Sequence, residues 1–473
     1  MDERENFNEG IEEKIRFFEE QLNSGQSFFY DTADLEDIIE YYLDFDEITK
    51  AKKAIDYGET LYPFEVFYQI KKAEISIAKK DIKTAIKILE TAKISEPNNP
   101  EIAKALGDCY SIILQHKRAT DSYTFALKQG YEKEQMLIRL ARLHFLINKP
   151  VKAMSYLNAI PGDYTFDEFA IQELISLFYD FNQNERALEF LNKIIDNDPY
   201  NYPCWYFIGL TFQKLERYKE AVNAFEFCIA IDEENSMGHL GKGNSLMEQT
   251  LYTDAIASFK LSLDNDVSDA EVLCNIAECY ENLNNYSTAK YYYLKAIKTD
   301  RYLSDAYFGL AIVYKKQNML KDAEKHLLKA IDLDGFESIY HIELAEIYLL
   351  LDNRDRCIFY YQQAYDIDKE TPEIVLDFAH AYFDFDETKE AIDLLKRHSE
   401  ELDDDYRIIY RISSYLLSLG LFEEAYHYLH LALQSNPNEY FLLFEFAPFA
   451  ENIENVTNII DLYTQRTNDK SGI

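Results

Sequence analysis

Tyr202 to Asn235 reads YPCWYFIGLTFQKLERYKEAVNAFEFCIAIDEEN. Its apolar residues recur at intervals of three and four, the spacing that puts them on one face of a helix. The next stretch opens at Ser236 and carries Gly243, Tyr252, Ala255 and Phe259, each 34 residues after Gly209, Tyr218, Ala221 and Phe225. Two helices of about 14 residues, each roughly 21 Å long, plus two short turns would fill such a repeat.

Outward from this stretch the same ruler holds. A small residue stands early in each second helix at Ala51, Ala85, Ala119, Ala153, Ala187, Ala221, Ala255, Ala289, Ala323, Cys357, Ala391 and Ala425, every step being 34. Such a run of equal intervals does not arise by chance, and it predicts an array of stacked helix pairs. Large residues recur four positions later, among them Leu89, Tyr123, Phe225, Phe259, Tyr293 and Leu429. Small columns mark where paired backbones approach closest, and large ones fill the gaps between neighbours. No single pair can bury its apolar face alone, so the repeats must stack.

The pattern resembles the tetratricopeptide repeat family. The repeat from Tyr202 matches that family with Trp205, Gly209, Phe212, Ala221 and Phe225. LGLFEEAYHYLHLALQSNP and LNNYSTAKYYYLKAIKTD are similar to its second helix with the preceding turn. The resemblance implies an all-α fold, an α-solenoid built as a right-handed superhelix of antiparallel helix pairs. It covers residues 32–439 as twelve repeats, with 1–31 expected to cap the amino-terminal end. Residues 440–473 are expected to form a degenerate capping pair, with Pro448 inside what would be a helix. Ile11, Ile15, Phe17, Phe18 and Leu22 give the first cap its amphipathic pattern. The family's small eighth position is Ile39, Ile175 and Ser413 in three repeats, where helix separation is expected to differ.

Composition agrees. Of 473 residues 47% are hydrophobic, enough for a large core, while only 14 Gly and 10 Pro suit long helices and not a β-sandwich. Tyr (38) and Phe (31) are abundant, so flat rings are expected to fill the core. The net charge of -37 repels phosphate backbones and anionic lipid, which argues against nucleic acid and membranes as partners. The segment MDERENFNEGIEEK is acidic and unlike a secretory signal, and no stretch approaches the ~18 apolar residues of a membrane span. Six cysteines without a CxxC pair give no disulfide framework. A cytoplasmic location is expected from these features.

No constellation for chemistry emerges, so no catalytic residue, metal or cofactor is expected. Gly241, Lys242 and Gly243 lack the remainder of a phosphate loop, and Gly243 belongs to the small column. His427 and His430 near Glu423 form no HExxH motif. Cys109, Cys228, Cys279 and Cys357 occupy repeat columns, where cysteine serves as a small hydrophobe.

The resemblance implies that first helices line a groove through their second, fifth, ninth, twelfth and thirteenth positions, and that a protein or peptide binds there. In repeats four to seven these positions hold Gln135, Ile138, Arg142, Phe145, Phe169, Gln172, Tyr179, Tyr206, Leu210, Gln213, Met237, Leu240, Asn244 and Met247. Aromatic side chains and methionine are common binding residues. Glu36, Glu40 and Asp44, then Glu271, Glu278 and Glu281, make two acidic stretches; Phe308, Ile312, Ile339, Ile342, Leu349 and Leu350 make a second apolar one. A ligand with apolar anchors and basic residues between them would fit this wall. The function expected is a protein-interaction scaffold or adaptor. The alternative is a regulatory peptide receptor or co-chaperone-like factor without a carboxylate clamp, because Lys104 is paired with Asp108 where such a clamp needs asparagine.

Overall fold

The computed structural model describes residues 11–470 except 12, 23–28, 46, 64, 162–163, 266–268 and 403–404. Two compact bodies, Met1–Glu233 and Glu234–Ile473, divide the chain. In the first, helix α1 (residues 13–22) precedes the pairs α2 (Thr32–Asp44) and α3 (Ile48–Leu61), α4 (Val66–Ala78) and α5 (Ile82–Ser95), and α6 (Pro100–Ile112) and α7 (His116–Lys128). Then come α8 (Lys133–Leu146) and α9 (Pro150–Leu157), α10 (Glu168–Asp180) and α11 (Asn184–Asn197), and α12 (Tyr202–Lys214) and α13 (Tyr218–Ile231). The second body holds α14 (Ser236–Glu248) and α15 (Tyr252–Asn265), α16 (Ala270–Asn282) and α17 (Tyr286–Thr299), and α18 (Ser304–Lys316) and α19 (Leu320–Leu333). It continues with α20 (Ser338–Leu350) and α21 (Arg354–Ile367), α22 (Pro372–Asp384) and α23 (Thr388–Glu401), α24 (Tyr406–Ser418) and α25 (Phe422–Ser435), and the closing α26 (Glu454–Lys470). Each body is a right-handed all-α solenoid of antiparallel helix pairs.

The ruler of small residues is the seam of this stack. All twelve, from Ala51 to Ala425, are completely buried. Opposite them, Gly107, Gly209 and Gly243 lie under the rings of Tyr123, Phe225 and Phe259; a β-carbon at Gly209 would sit 2.6 Å from Phe225 Cε1. The pairs with isoleucine in that column, α2–α3 and α10–α11, approach along less of their length than those with glycine, and α10–α11 least. Ser413 keeps its pair close, because its hydroxyl is buried and donates to the Ala425 carbonyl at 2.8 Å.

Helix ends follow the same period. Asp31, Asn99, Asp167, Asn201, Asn235, Asp269 and Asp405 each precede a first helix and accept a backbone N–H from its first turn. Each such cap contributes about 1 kcal/mol. Between paired helices the chain turns through one left-handed residue, at Lys80, Leu114, Asn148, Asn182, Glu216, Thr250, Asn284, Asn318, Asp352, Asp386 and Gly420. Thr250, at φ 60°, is β-branched in a region that suits asparagine and glycine. Thr250→Asn is expected to stabilise the chain by about 1 kcal/mol, read as a higher urea midpoint; a lower midpoint would contradict the strain.

Three expectations need correction. Helix α9 has 8 residues where about 14 were expected. Pro161, following the Asn158–Ile160 turn, ends the helical path, and α10 then packs on α8. Residues 440–452 are two 3₁₀ segments, Pro437–Phe444 and Pro448–Asn452, and not the first α-helix of a pair. Pro448 has no N–H to give an α-helix, and the shorter turns bury Leu443, Ala447 and Ala450 against α24 and α25. Near the amino-terminal end Ile11, Ile15 and Phe18 are buried, but Phe17 and Leu22 are exposed. The expectations for residues 1–10 and 23–28 lie outside the described residues.

Candidate functional site

First helices of successive repeats touch one another, α8 with α10, α10 with α12, α14 with α16 and α16 with α18, whereas among the described residues successive second helices show no comparable contact. The first helices are therefore the inner side of each body.

Within the first body the expected groove residues divide. Phe169 (72% exposed) and Gln172 lie open on α10, and Gln135 is exposed at the start of α8. Tyr206, Leu210 and Gln213 are half-buried on α12. Tyr179 is half-buried as well; its hydroxyl lies 2.8 Å from Thr211 Oγ1, and the Lys214 ammonium sits 4.8 Å from its ring centroid. Arg142 pairs with Glu173 across α8 and α10. Phe145 and Ile138 are not groove residues. Phe145 is fully enclosed, edge-on to Phe178 with centroids 4.7 Å apart, and Ile138 is buried in the same apolar cluster as Ile171 and Leu174. Both side chains lie in the cluster that α8 shares with α10.

On α6 the Asp108 carboxylate takes Lys104 at 3.1 Å, Arg139 at 2.8 Å and the Tyr123 hydroxyl at 2.8 Å. Lys104 is thereby committed within the protein.

In the second body Met237 is 51% exposed, and Leu240, Asn244 and Met247 are half-buried along α14. Asn275 of α16 donates to Asn244 Oδ1 at 3.3 Å. Further along the same wall, α16, α18 and α20 enclose a hollow of about 550 Å³. Glu271, Glu278, Glu281, Asp305 and Glu343 bring five carboxylates to it, and Phe308, Ile312 and Ile339 form an apolar side. Glu281 receives Lys316 at 2.8 Å and the Tyr293 hydroxyl at 3.1 Å. Asp305 accepts the Tyr340 hydroxyl at 2.6 Å, and Glu343 pairs with Lys315 at 2.6 Å. Among the described residues Glu271 and Glu278 have no ion-pair partner and no side-chain hydrogen bond. Desolvation on the concave wall, then the carboxylates of Glu281, Glu248 and Asp305, push Glu278 above the ordinary carboxylate range. The Cys274 thiol in the same hollow is pushed up by burial to about 12, so it stays protonated and is no nucleophile at neutral pH.

The sequence pointed to Glu271, Glu278 and Glu281 but not to Asp305 or Glu343. Asp305 occupies a second position, so the column rule could have found it; Glu343 lies outside the lining columns. Among the described residues no group of three or more His, Cys, Asp or Glu side chains could hold a metal ion. Among them, too, no helix is long and apolar enough to cross a membrane.

A stack of antiparallel helix pairs whose inner helices form an open wall defines a class, the α-solenoid interaction module. The tetratricopeptide repeat model matches residues 202–235, 270–302, 304–336 and 340–371. Four stretches of the chain thus match tetratricopeptide repeats, and both bodies have a tetratricopeptide-like α-solenoid fold. Tetratricopeptide repeat protein 8 of Mus musculus is 31% identical over 103 residues, 21% of this chain and 20% of that protein. The chain thus spans about a fifth of the length of that curated relative. Among solved structures, Pseudomonas aeruginosa pilF aligns over 45% of this chain and 97% of its own at 18% identity, TM-score 0.39. A chain of the APC/C hetero-tetramer Cut9–Hcn1 aligns over 88% and 90% at 16% identity, TM-score 0.38. YrrB, described as a TPR protein with an unusual peptide-binding site, aligns over 40% and 96% at 15% identity, TM-score 0.32. At such low TM-scores nothing about function is taken from them.

Proposed function

We propose that this chain is a cytoplasmic scaffold or adaptor that holds a partner protein or peptide along the inner faces of its first helices. The observation that carries this reading is that first helices in each body leave large apolar side chains open: Phe169 in the first is 72% exposed, and Met237, Ile339 and Leu350 in the second are 51%, 42% and 63% exposed. Side chains of this kind cost free energy in water, and contiguous exposed ones usually mark an interaction surface. In the first body the contact residues proposed are Arg142, Phe169, Gln172, Tyr179, Tyr206, Leu210 and Gln213; in the second, Met237, Leu240, Asn244 and Met247. The array is proposed to run over residues 32–439, with the segments before and after it closing its two ends. The large negative charge favours a partner with basic residues and disfavours nucleic acid and anionic membranes.

The test is affinity capture with the intact chain, followed by binding of the captured partner to a chain carrying Phe169→Asp and Met237→Asp. Both positions are exposed, so helicity should be unchanged while affinity falls by about tenfold or more. Equal affinity for the variant and the parent chain would reject the inner-face reading.

A further inference from the structure

We propose that the hollow between α16, α18 and α20 receives a lysine or arginine side chain of an extended partner segment, with a neighbouring apolar residue of that segment packed on Phe308, Ile312 and Ile339. The proposal rests on the reading that first helices receive a partner, and it names the chemistry of one site on that wall.

Size and shape come first. A hollow of about 550 Å³ that is open on the inner side is within the range of sites that hold a ligand of several side chains. Its walls differ in character. Phe308 and Ile312 on α18, with Ile339 on α20, present carbon, while α16 presents Glu271, Glu278 two turns on, and Glu281 about one turn further.

Charge then selects the occupant. Lining residues include five carboxylates and no lysine, arginine or histidine. The neighbouring cations Lys315 and Lys316 are already engaged, with Glu343 and Glu346 and with Glu281. Glu271 and Glu278 are left over. A guanidinium or ammonium placed between them would gain charge-assisted hydrogen bonds and relieve the mutual repulsion of Glu278, Glu281 and Asp305. Desolvation, then repulsion from Glu281, Glu248 and Asp305, raises the Glu278 carboxyl above its ordinary value. The apolar wall argues for a peptide and against a hydrated divalent cation, which needs oxygen ligands on several sides. An alternating basic and apolar segment satisfies both walls at once.

The experiment uses the full chain with isoleucine δ1-methyl labels and two blocked peptides, acetyl-Leu-Arg-Leu-amide and acetyl-Leu-citrulline-Leu-amide. Citrulline keeps the shape of arginine and removes its charge. The arginine peptide should shift the Ile312 and Ile339 methyl signals saturably, and the citrulline peptide should bind about tenfold more weakly or worse. Glu278→Gln, which leaves the core untouched, should weaken the arginine peptide by a similar factor while the circular dichroism spectrum stays the same. Equal affinity for the two peptides would overturn the assignment of a cation, as would an unchanged affinity in the Glu278→Gln chain. Shifts confined to isoleucines elsewhere would overturn the assignment of the hollow. None of these results touches the scaffold reading, which stands or falls on the captured partner and the Phe169 and Met237 substitutions.

Discussion

Phe145→Ala is expected to destabilise the first body by about 3–5 kcal/mol, seen as a fall in its urea midpoint, and not simply to weaken ligand binding. The ring is wholly enclosed and packs edge-on to Phe178, and Phe181 lies 6.2 Å away between centroids. Removing it leaves a cavity between α8 and α10. In a stack held by neighbour contacts such damage should be local, so amide exchange should accelerate most in α8 and α10. A chain that keeps its stability but loses its partner would restore Phe145 to the groove.

Gly209→Val is expected to cost about 3 kcal/mol for the opposite reason, overpacking. The new β-carbon would meet Phe225 Cε1 and Cζ at 2.6 Å, and Phe225 is fully buried. Val is a somewhat better helix former than Gly, but that gain is smaller than the cost of the clash. Leucine stands in the Phe225 column at Leu191, Leu395 and Leu429. Combining Gly209→Val with Phe225→Leu should therefore recover part of the loss, a non-additivity that a double-mutant cycle reads directly. Strict additivity would mean that the glycine is not there for the ring.

These two substitutions also show what was legible in the sequence. The small and large columns could be read because every repeat puts them in the same surroundings: each residue from Ala51 to Ala425 on the ruler is sealed in the same seam. The acidic inner face at Glu271, Glu278 and Glu281 was legible for the same reason. Where one repeat departs from its neighbours, the column rule fails. Ile138 and Phe145 sit at lining positions, yet both are buried in the cluster shared with α10, and only tertiary packing reveals that. Asparagine or aspartate marks the left-handed turn at Asn182, Asn284, Asn318, Asp352 and Asp386, whereas Leu114, Glu216 and Thr250 at the same place carry no local signal. Glu343 reaches the hollow from outside the expected columns, because a long side chain on α20 turns toward Lys315. Pro448 did announce an irregular end, but the sequence did not say that two 3₁₀ turns would replace the helix.

The inner-face account is tested most directly by hydroxyl-radical footprinting of the intact chain with and without its captured partner. Phe169, Met237 and Ile339 lie open on first helices, while Phe227, Tyr291 and Phe359 lie open on second helices, at 54%, 62% and 55% exposure. The account predicts that the partner protects residues of the first group from oxidation and leaves the second unchanged. Protection of Phe227, Tyr291 and Phe359 with Phe169, Met237 and Ile339 still fully reactive would contradict it.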